Sequence, residues 1–207
     1  MLSNKNKFSF KTNQPIILAS GSLIRKKILK NTGLRFNVMS SNVDEELFKK
    51  KFKGKTLNFI CKKLAELKAI KISQKYNNSY VIGADQICAL EKKILAKPKT
   101  EERARNQLKM LSGKEHKQIC GCSICYNGKL LHSFYNIAVL KMRNLSKKEI
   151  QDYIAHDMPL KSCGAYRFES KGYLLFSNVI GDQYTIQGLP IFTLLSYLFK
   201  KKIIEYE

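Results

Sequence analysis

The apolar positions of this chain fall into short buried runs separated by stretches with helical spacing, so their periods predict alternating strands and helices. Pro15 to Ser20 (PIILAS) reads as a buried strand that turns at Gly21-Ser22 into a helix over Leu23 to Asn31. In that helix Leu23, Ile24, Ile28 and Leu29 recur on one face, and Gly33 is the stop. Arg35 to Met39 reads as a second strand, followed by an acidic loop from Ser40 to Glu46. Thr56 to Lys75 is the longest helix, with Leu57, Ile60, Leu64, Leu67 and Ile70 as its apolar stripe. Glu66 and Lys68 read there as solvated helix charges unless the fold brings them to a cleft. Tyr80 to Ala84 is uncharged and apolar on both faces, the pattern of a central parallel strand, and it delivers Asp85 at its carboxyl end.

Beyond Asp85 the chain runs through Ile87 to Leu90, turns at Glu91-Lys92-Lys93 and reaches Ile94 to Pro98. Thr100, with Glu101 and Glu102, starts a capped and dipole-matched helix to Leu111. His116 to Tyr126 and Lys129 to Met142 flank Asn127-Gly128, a strong hairpin signal. Ser146 and Glu149 form a capping box that opens a helix to about His156. Gly164 to Glu169 leads through Gly172 into a strand over Tyr173 to Ile180, turned by Gly181-Asp182. Pro190 sits in the first turn of a last apolar helix, Ile191 to Phe199. Residues 1–14 read as a loose polar leader and 15–207 as a single domain without repeat or linker. The pattern predicts an α/β fold: a mixed twisted sheet with flanking helices, forming two lobes around a central cleft.

Composition narrows the class. A chain of 207 residues with 44% hydrophobic content is an ordinary globular protein. No apolar run reaches the ~18 residues of a membrane span, and Met1 to Gln14 lacks the apolar core of a signal peptide, so the expectation is a cytoplasmic protein with no membrane partner. The net charge of +22 raises a nucleic-acid reading. Of the 38 basic residues only Arg25, Arg35, Arg103, Arg105, Arg143 and Arg167 are arginines, and the lysines are scattered without a stripe. Base-edge and bidentate phosphate recognition favour Arg, so a compositional bias toward Lys, Asn and Ile accounts for the charge better than a nucleic-acid surface does. Phosphate-bearing small molecules fit this field. Cys120, Cys122 and Cys125 with His116 look like a zinc set, but strand alternation turns Cys125 away from the other two, so the six cysteines read as reduced, semi-buried residues.

Two stretches carry candidate chemistry. A lone carboxylate at the end of a buried strand is placed to hold a metal or take a proton, although Asp85 in such a position also serves as a plain turn cap. Ser20-Gly21-Ser22 and Arg25 combine small side chains, a helix start and a guanidinium, which suits a phosphate group; as an isolated feature the same stretch reads as an ordinary N-cap turn.

Eight segments in order then carry a resemblance over Pro15 to Leu198: ILASGSxxR at Ile17 to Arg25, VDE at Val43 to Glu45, AxxKA at Ala65 to Ala69, GADQ at Gly83 to Gln86, KP at Lys97-Pro98, LSGKEH at Leu111 to His116, GAYxxE at Gly164 to Glu169, and GLP at Gly188 to Pro190. The chain resembles the Maf family of nucleoside triphosphate pyrophosphatases. The resemblance implies a mixed α/β fold with a central cleft, related to inosine triphosphate pyrophosphatases. It implies cleavage of the α,β phosphoanhydride of canonical or modified nucleoside triphosphates, with Mg²⁺ or Mn²⁺, in a house-cleaning role. By the same resemblance Asp85 is the catalytic carboxylate and a metal ligand, Glu45 its acidic partner through the metal, and Ser20, Ser22 and Arg25 the phosphate turn. Lys68 and Lys97 face the triphosphate and Glu169 lies near the nucleotide. The chain departs from the family at Leu23 and Ile24, where relatives have Pro and then Arg or Trp, and Gln86 stands where relatives acting on dTTP and UTP have Thr. The nucleobase, the assembly state (a homodimer being one option) and Ile24 as cleft or core residue stay open. A basic nucleic-acid-binding module and a non-catalytic nucleotide-binding regulator of cell division are the competing classes.

Overall fold

The computed structural model describes residues 9–207. Its centre is a seven-stranded mixed sheet in the order β3-β2-β4-β6-β7-β8, with β5 paired to β4. Strand β2 (Ile16–Ala19) runs parallel to β3 (Asn37–Val38) and to the first half of β4 (Tyr80–Leu90). The long hairpin of β6 (Glu115–Tyr126) and β7 (Lys129–Met142) then continues the sheet antiparallel, β6 pairing with β4 from Tyr80 to Ala89. Asn127 and Gly128 both have positive φ at the tip, as the Asn-Gly signal requires. Strand β8 (Phe176–Ile180) closes the far edge.

Asp85 is therefore not at the end of its strand. Strand β4 continues to Leu90 because Ile87 to Leu90 is apolar and pairs with β6 on one side and with β5 (Lys93–Leu95) on the other. The strand that ends is β2, whose last partner on β4 is Gly83. The cleft that was expected at a strand end opens where β2 stops beside a continuous neighbour.

Among the described residues seven α-helices flank the sheet. Helix α1 (Leu23–Lys30) is capped by Ser22, α4 (Glu101–Leu111) by Thr100, and α5 (Lys147–Asp157) by the Ser146–Glu149 capping box. Helix α3 (Leu57–Ser73) lies across β4 and β6 at backbone contact distance. A Cβ on Gly83 would stand 2.3 Å from the Ala65 carbonyl oxygen, and one on Gly121 2.6 Å from that of Cys61. The Cys61 thiol joins the same seam, donating to the Asp85 carbonyl at 3.4 Å and accepting from the Gly121 N–H at 3.1 Å. Strand alternation sends Val81, Gly83, Asp85 and Ile87 toward α3, and Ile82, Ala84 and Gln86 toward the opposite face. Cys125 accordingly packs with Val81 on the α3 face and Cys122 with Ile82 on the other, so the thiols diverge as strand geometry requires.

Several local expectations change. Of the leader, residues 1–8 lie outside the described residues, while Phe10–Thr12 forms β1, paired with β9 (Ile204–Tyr206) in a separate small sheet. The acidic loop ends early, its last two residues, Glu45 and Glu46, opening helix α2 (Glu45–Lys51), capped by Asp44. Gly172–Leu175 forms a 3-10 turn rather than strand, because Gly172 packs against the Arg167 carbonyl, where a Cβ would meet the oxygen at 2.4 Å. A short helix α6 (Gln183–Gln187) follows, and Pro190 sits just before α7 (Ile191–Lys200) rather than inside it. Two large core clusters result. One joins α1 and α7 to β2 and β4 through Leu18, Ile82, Leu189 and Leu194, and the other joins α4 and α5 to β7 through Leu108, Leu140, Met142 and Ile154.

Candidate active site

Between these two packed regions lies a cleft of about 1230 Å³. Its floor is Asp85, 3% exposed in the middle of β4. Because α3 is pressed onto the sheet at Gly83, its Lys68 reaches Asp85 from above. The Lys68 ammonium donates to Asp85 Oδ1 at 2.6 Å and to Glu45 Oε1, at the start of α2, also at 2.6 Å. The expected solvated helix charge is thus an internal cation, its side chain only 8% exposed. A charge buried to this extent survives only when paired, and leaving it with no partner costs about 3–5 kcal/mol. Burial by itself would raise the Glu45 carboxyl, but the Lys68 ammonium, with Lys49 and Lys97 behind it, outweighs burial and holds it below the usual carboxylate range. Asp85 Oδ2 is buried and has no hydrogen-bond partner among the described residues. An unsatisfied carboxylate oxygen on a cleft floor is an acceptor waiting for a proton, a water or a cation.

The Ser20-Gly21-Ser22 turn and Arg25 are joined by hydrogen bonds. Ser22 accepts from the Arg25 N–H, and Ser20 Oγ accepts from the Ser22 N–H and from Arg25 Nη1, both at 3.2 Å. The Arg25 guanidinium also donates to the Gly188 carbonyl at 2.6 Å and to the Ala84 carbonyl at 3.0 Å. It ties α1 to β4 and to the α6–α7 junction, so it is a fixed cation and not a freely swinging one. Lys97 is exposed on the cleft wall, and Glu169 lines the cleft while pairing with Arg167 at 3.3 Å. Lys68 thus bonds both Asp85 and Glu45, Ser20, Ser22 and Arg25 form a second group, and Lys97 and Glu169 line the same cleft. Ile24 is half-buried; it packs against the α1–α7 core cluster and also lines the cleft, so it belongs to both environments. Gln86, on the other face of β4, donates to the Ile186 carbonyl and braces α6.

Two contributors escaped sequence reasoning. Lys49 lies four residues beyond Glu45 on α2, 3.9 Å from it, and lines the cleft. Burial would lower its pKa, but the carboxylates of Asp85, Glu45 and Glu46 outweigh that and raise it. The i,i+4 spacing from Glu45 was the available signal, unused because Glu45 was read within a loop that ended at Glu46. The second is the buried group of Tyr166, whose hydroxyl meets His116 Nε2 at 2.9 Å and accepts from Gln118 Nε2 at 2.7 Å. His116 and Tyr166 stand in two motifs 50 residues apart that only the fold joins. Burial lowers the His116 pKa to about 4, so the ring is neutral at pH 7.

The donor set suits a hard divalent cation. Among the described residues no three His, Cys, Asp or Glu side chains are arranged to hold an ion. Two carboxylates, one with a free buried oxygen, match the way Mg²⁺ is bound by one or two carboxylates together with substrate phosphates and water.

Comparison with known proteins bears on this cleft. Over 195 residues, 94% of this chain and 98% of the relative, it is 40% identical to a nucleoside triphosphate pyrophosphatase of Legionella pneumophila (strain Paris). It is 39% identical over 189 residues to a dTTP/UTP pyrophosphatase of Clostridioides difficile (90% and 94% covered), and 38% identical over 194 residues to a 7-methyl-GTP pyrophosphatase of Brucella abortus (92% and 98% covered). In fold it is similar to the Staphylococcus aureus Ham1 protein, with a TM-score of 0.50 at 16% identity, covering 91% of this chain and all of that one. The family described as Maf-like protein matches residues 15–201, which span every element that lines the cleft, and the chain belongs to that family.

Proposed function

We propose that the protein is a hydrolase, a nucleoside triphosphate pyrophosphatase that cleaves the α,β phosphoanhydride to a nucleoside monophosphate and pyrophosphate in a house-cleaning role. The observation that carries this reading is the buried Asp85–Lys68–Glu45 group in one cleft with an Arg25-braced serine turn. Such a cleft supplies a base for water and fixed donors for phosphate. Relatives named for dTTP/UTP and for 7-methyl-GTP show at comparable identity, so the nucleobase is left open.

In this reading Asp85 Oδ2 takes the proton of the attacking water as the water oxygen bonds to phosphorus. The bond to the bridging oxygen breaks, and pyrophosphate leaves with the electron pair. Ser20, Ser22 and Arg25 orient the phosphate chain, Lys97 stands over its charge, and Glu169 lies toward the nucleoside. Mg²⁺ or Mn²⁺, when bound with the phosphates, would be held by Asp85 and Glu45 and would neutralise phosphate charge. No helix among the described residues is long and apolar enough to cross a membrane. We assign the protein to the cytoplasm and take a nucleoside triphosphate as its partner, with neither nucleic acid nor membrane; a homodimer remains an option to be read by sedimentation.

The test is pyrophosphate release from a panel of canonical and modified nucleoside triphosphates with Mg²⁺ or Mn²⁺, on the wild type and on Asp85→Asn. The asparagine has the same shape and leaves Lys68 paired to Glu45, so the fold is kept while turnover falls by about 10²- to 10⁴-fold, the usual loss with a general base. Wild-type turnover in folded Asp85→Asn would remove Asp85 from the mechanism. Nucleotide binding without turnover in the wild type would favour the regulator, and polynucleotide binding that weakens steeply with salt would favour the nucleic-acid module.

A further inference from the structure

Lys68 stands between the two carboxylates that a divalent cation would draw on. Its ammonium lies 2.6 Å from one oxygen of each carboxylate, and an ion drawing on the same two groups requires oxygens at about 2.0–2.6 Å. Of the second oxygens Asp85 Oδ2 stays free, but an ion on it would stand beside the buried ammonium, where two positive charges in a poorly screened site repel strongly. The backbone behind Lys68 cannot yield, because α3 is pressed against Gly83 and Gly121. Asp85 is fixed within β4. Only the Lys68 stem and Glu45 can move, the latter at the start of α2, a helix that buries none of its residues.

We infer that Lys68 is an internal cation that must leave the carboxylates before a divalent metal can enter, and that the phosphate chain of the nucleotide is what receives it. A metal arriving alone would strand a buried ammonium beside a double positive charge in a poorly screened site. A metal arriving with a triphosphate brings the oxygens that replace the hydrogen bonds Lys68 gives up. Metal binding in the empty cleft is therefore weak, and the metal is taken up as part of the nucleotide complex. Lys68 is in this sense a positioning residue for metal entry, paired to carboxylates in the free protein and to phosphate in the complex. The inference rests on the pyrophosphatase reading only for the nature of the phosphate ligand.

The test is direct binding of Mn²⁺ without nucleotide, followed by electron paramagnetic resonance, on wild type, Lys68→Met, Lys68→Arg and Lys97→Met. Lys68→Met is expected to bind the ion roughly tenfold or more tightly than wild type, a typical coupling between competing ligands. Lys68→Arg keeps the charge and stays with wild type, and Lys97→Met, which removes a cleft cation without a carboxylate bond, gains far less. Wild-type affinity equal to that of Lys68→Met, or an equal gain in Lys97→Met, would overturn the inference. If Lys68→Met does not fold, the ¹⁵N-lysine ammonium resonance of the wild type, assigned by its loss in Lys68→Arg, decides. It should shift when Mg²⁺ binds with an α,β-methylene nucleoside triphosphate, and bound Mg²⁺ with the resonance unmoved defeats the idea. Pyrophosphate release is scored separately, so failure of the proposed activity leaves the metal result standing.

Discussion

Gly83→Ala probes the contact on which the site depends. The added Cβ would lie 2.3 Å from the Ala65 carbonyl oxygen, 2.8 Å from the Ala69 nitrogen and 2.9 Å from the Ala69 Cβ, whereas ordinary contact begins near 3.4 Å. Two of these three atoms are backbone, so no side-chain rotation relieves the clash, and α3 has to retreat by about 1 Å, a shift of the kind overpacking forces. Lys68 rides on that helix, one turn from Ala65. Its 2.6 Å bond to Asp85 would lengthen to about 3.6 Å, past hydrogen-bonding distance. Overpacking costs about 1–3 kcal/mol, and at this chain length each kcal/mol lowers Tm by about 2–4 °C, so a drop of roughly 5 °C is expected. A displacement of about 1 Å in the site costs on the order of 10²-fold in rate. Differential scanning calorimetry and pyrophosphate release measure the two effects. Gly54→Ala, where a Cβ meets nothing within 4 Å although φ is +91°, should cost some stability but no comparable rate. A Gly83→Ala protein with wild-type melting and turnover would refute the claim that close packing of α3 sets the Lys68–Asp85 contact.

Three further outcomes are expected. Lys97→Ala lowers kcat/KM for every accepted nucleotide alike if the lysine has the phosphate-facing role proposed for it; a loss confined to one nucleobase in the substrate panel would contradict that role. Ile24→Arg keeps most of its thermal stability, since the residue is half-buried and lines the cleft, and it changes KM or base preference; a melting drop of the size expected for a buried unpaired charge, absent in Ile24→Leu, would show that the core contact dominates. Burial depresses the His116 pKa from 6.5 to about 4, so the unfolded chain binds the proton first. Stability is intact above pH 6.5 and is lost as pH falls toward 4, by roughly 3 kcal/mol over that window; His116→Gln should flatten this part of the Tm–pH profile, and an unchanged profile would exclude the histidine.

Local signals in the sequence determined most elements, because each rests on short-range physics. Ser22, Thr100 and Ser146 cap the helices they were expected to cap, and Asn127-Gly128 turns the hairpin it announced. The apolar run before Asp85 became a central strand, and the order of the motifs identified the family. Tertiary structure decided whatever depends on distant partners. Phe10 to Thr12 is a strand because Ile204 to Tyr206 lies beside it, and Arg35 to Met39 shrank to two paired residues because β2, its one neighbour in the sheet among the described residues, is itself four residues long. Where β4 would end could not be read from β4, since its extent is set by β5 and β6. Nor could the state of Lys68 be read from α3: a lysine on a helix rich in lysines gives no sign of burial. It became an internal cation because Gly83 and Gly121, far from it in sequence, let the helix backbone touch the sheet directly above Asp85. Sequence thus supplied the chemical groups, and close packing against two residues without side chains decided which of them meet.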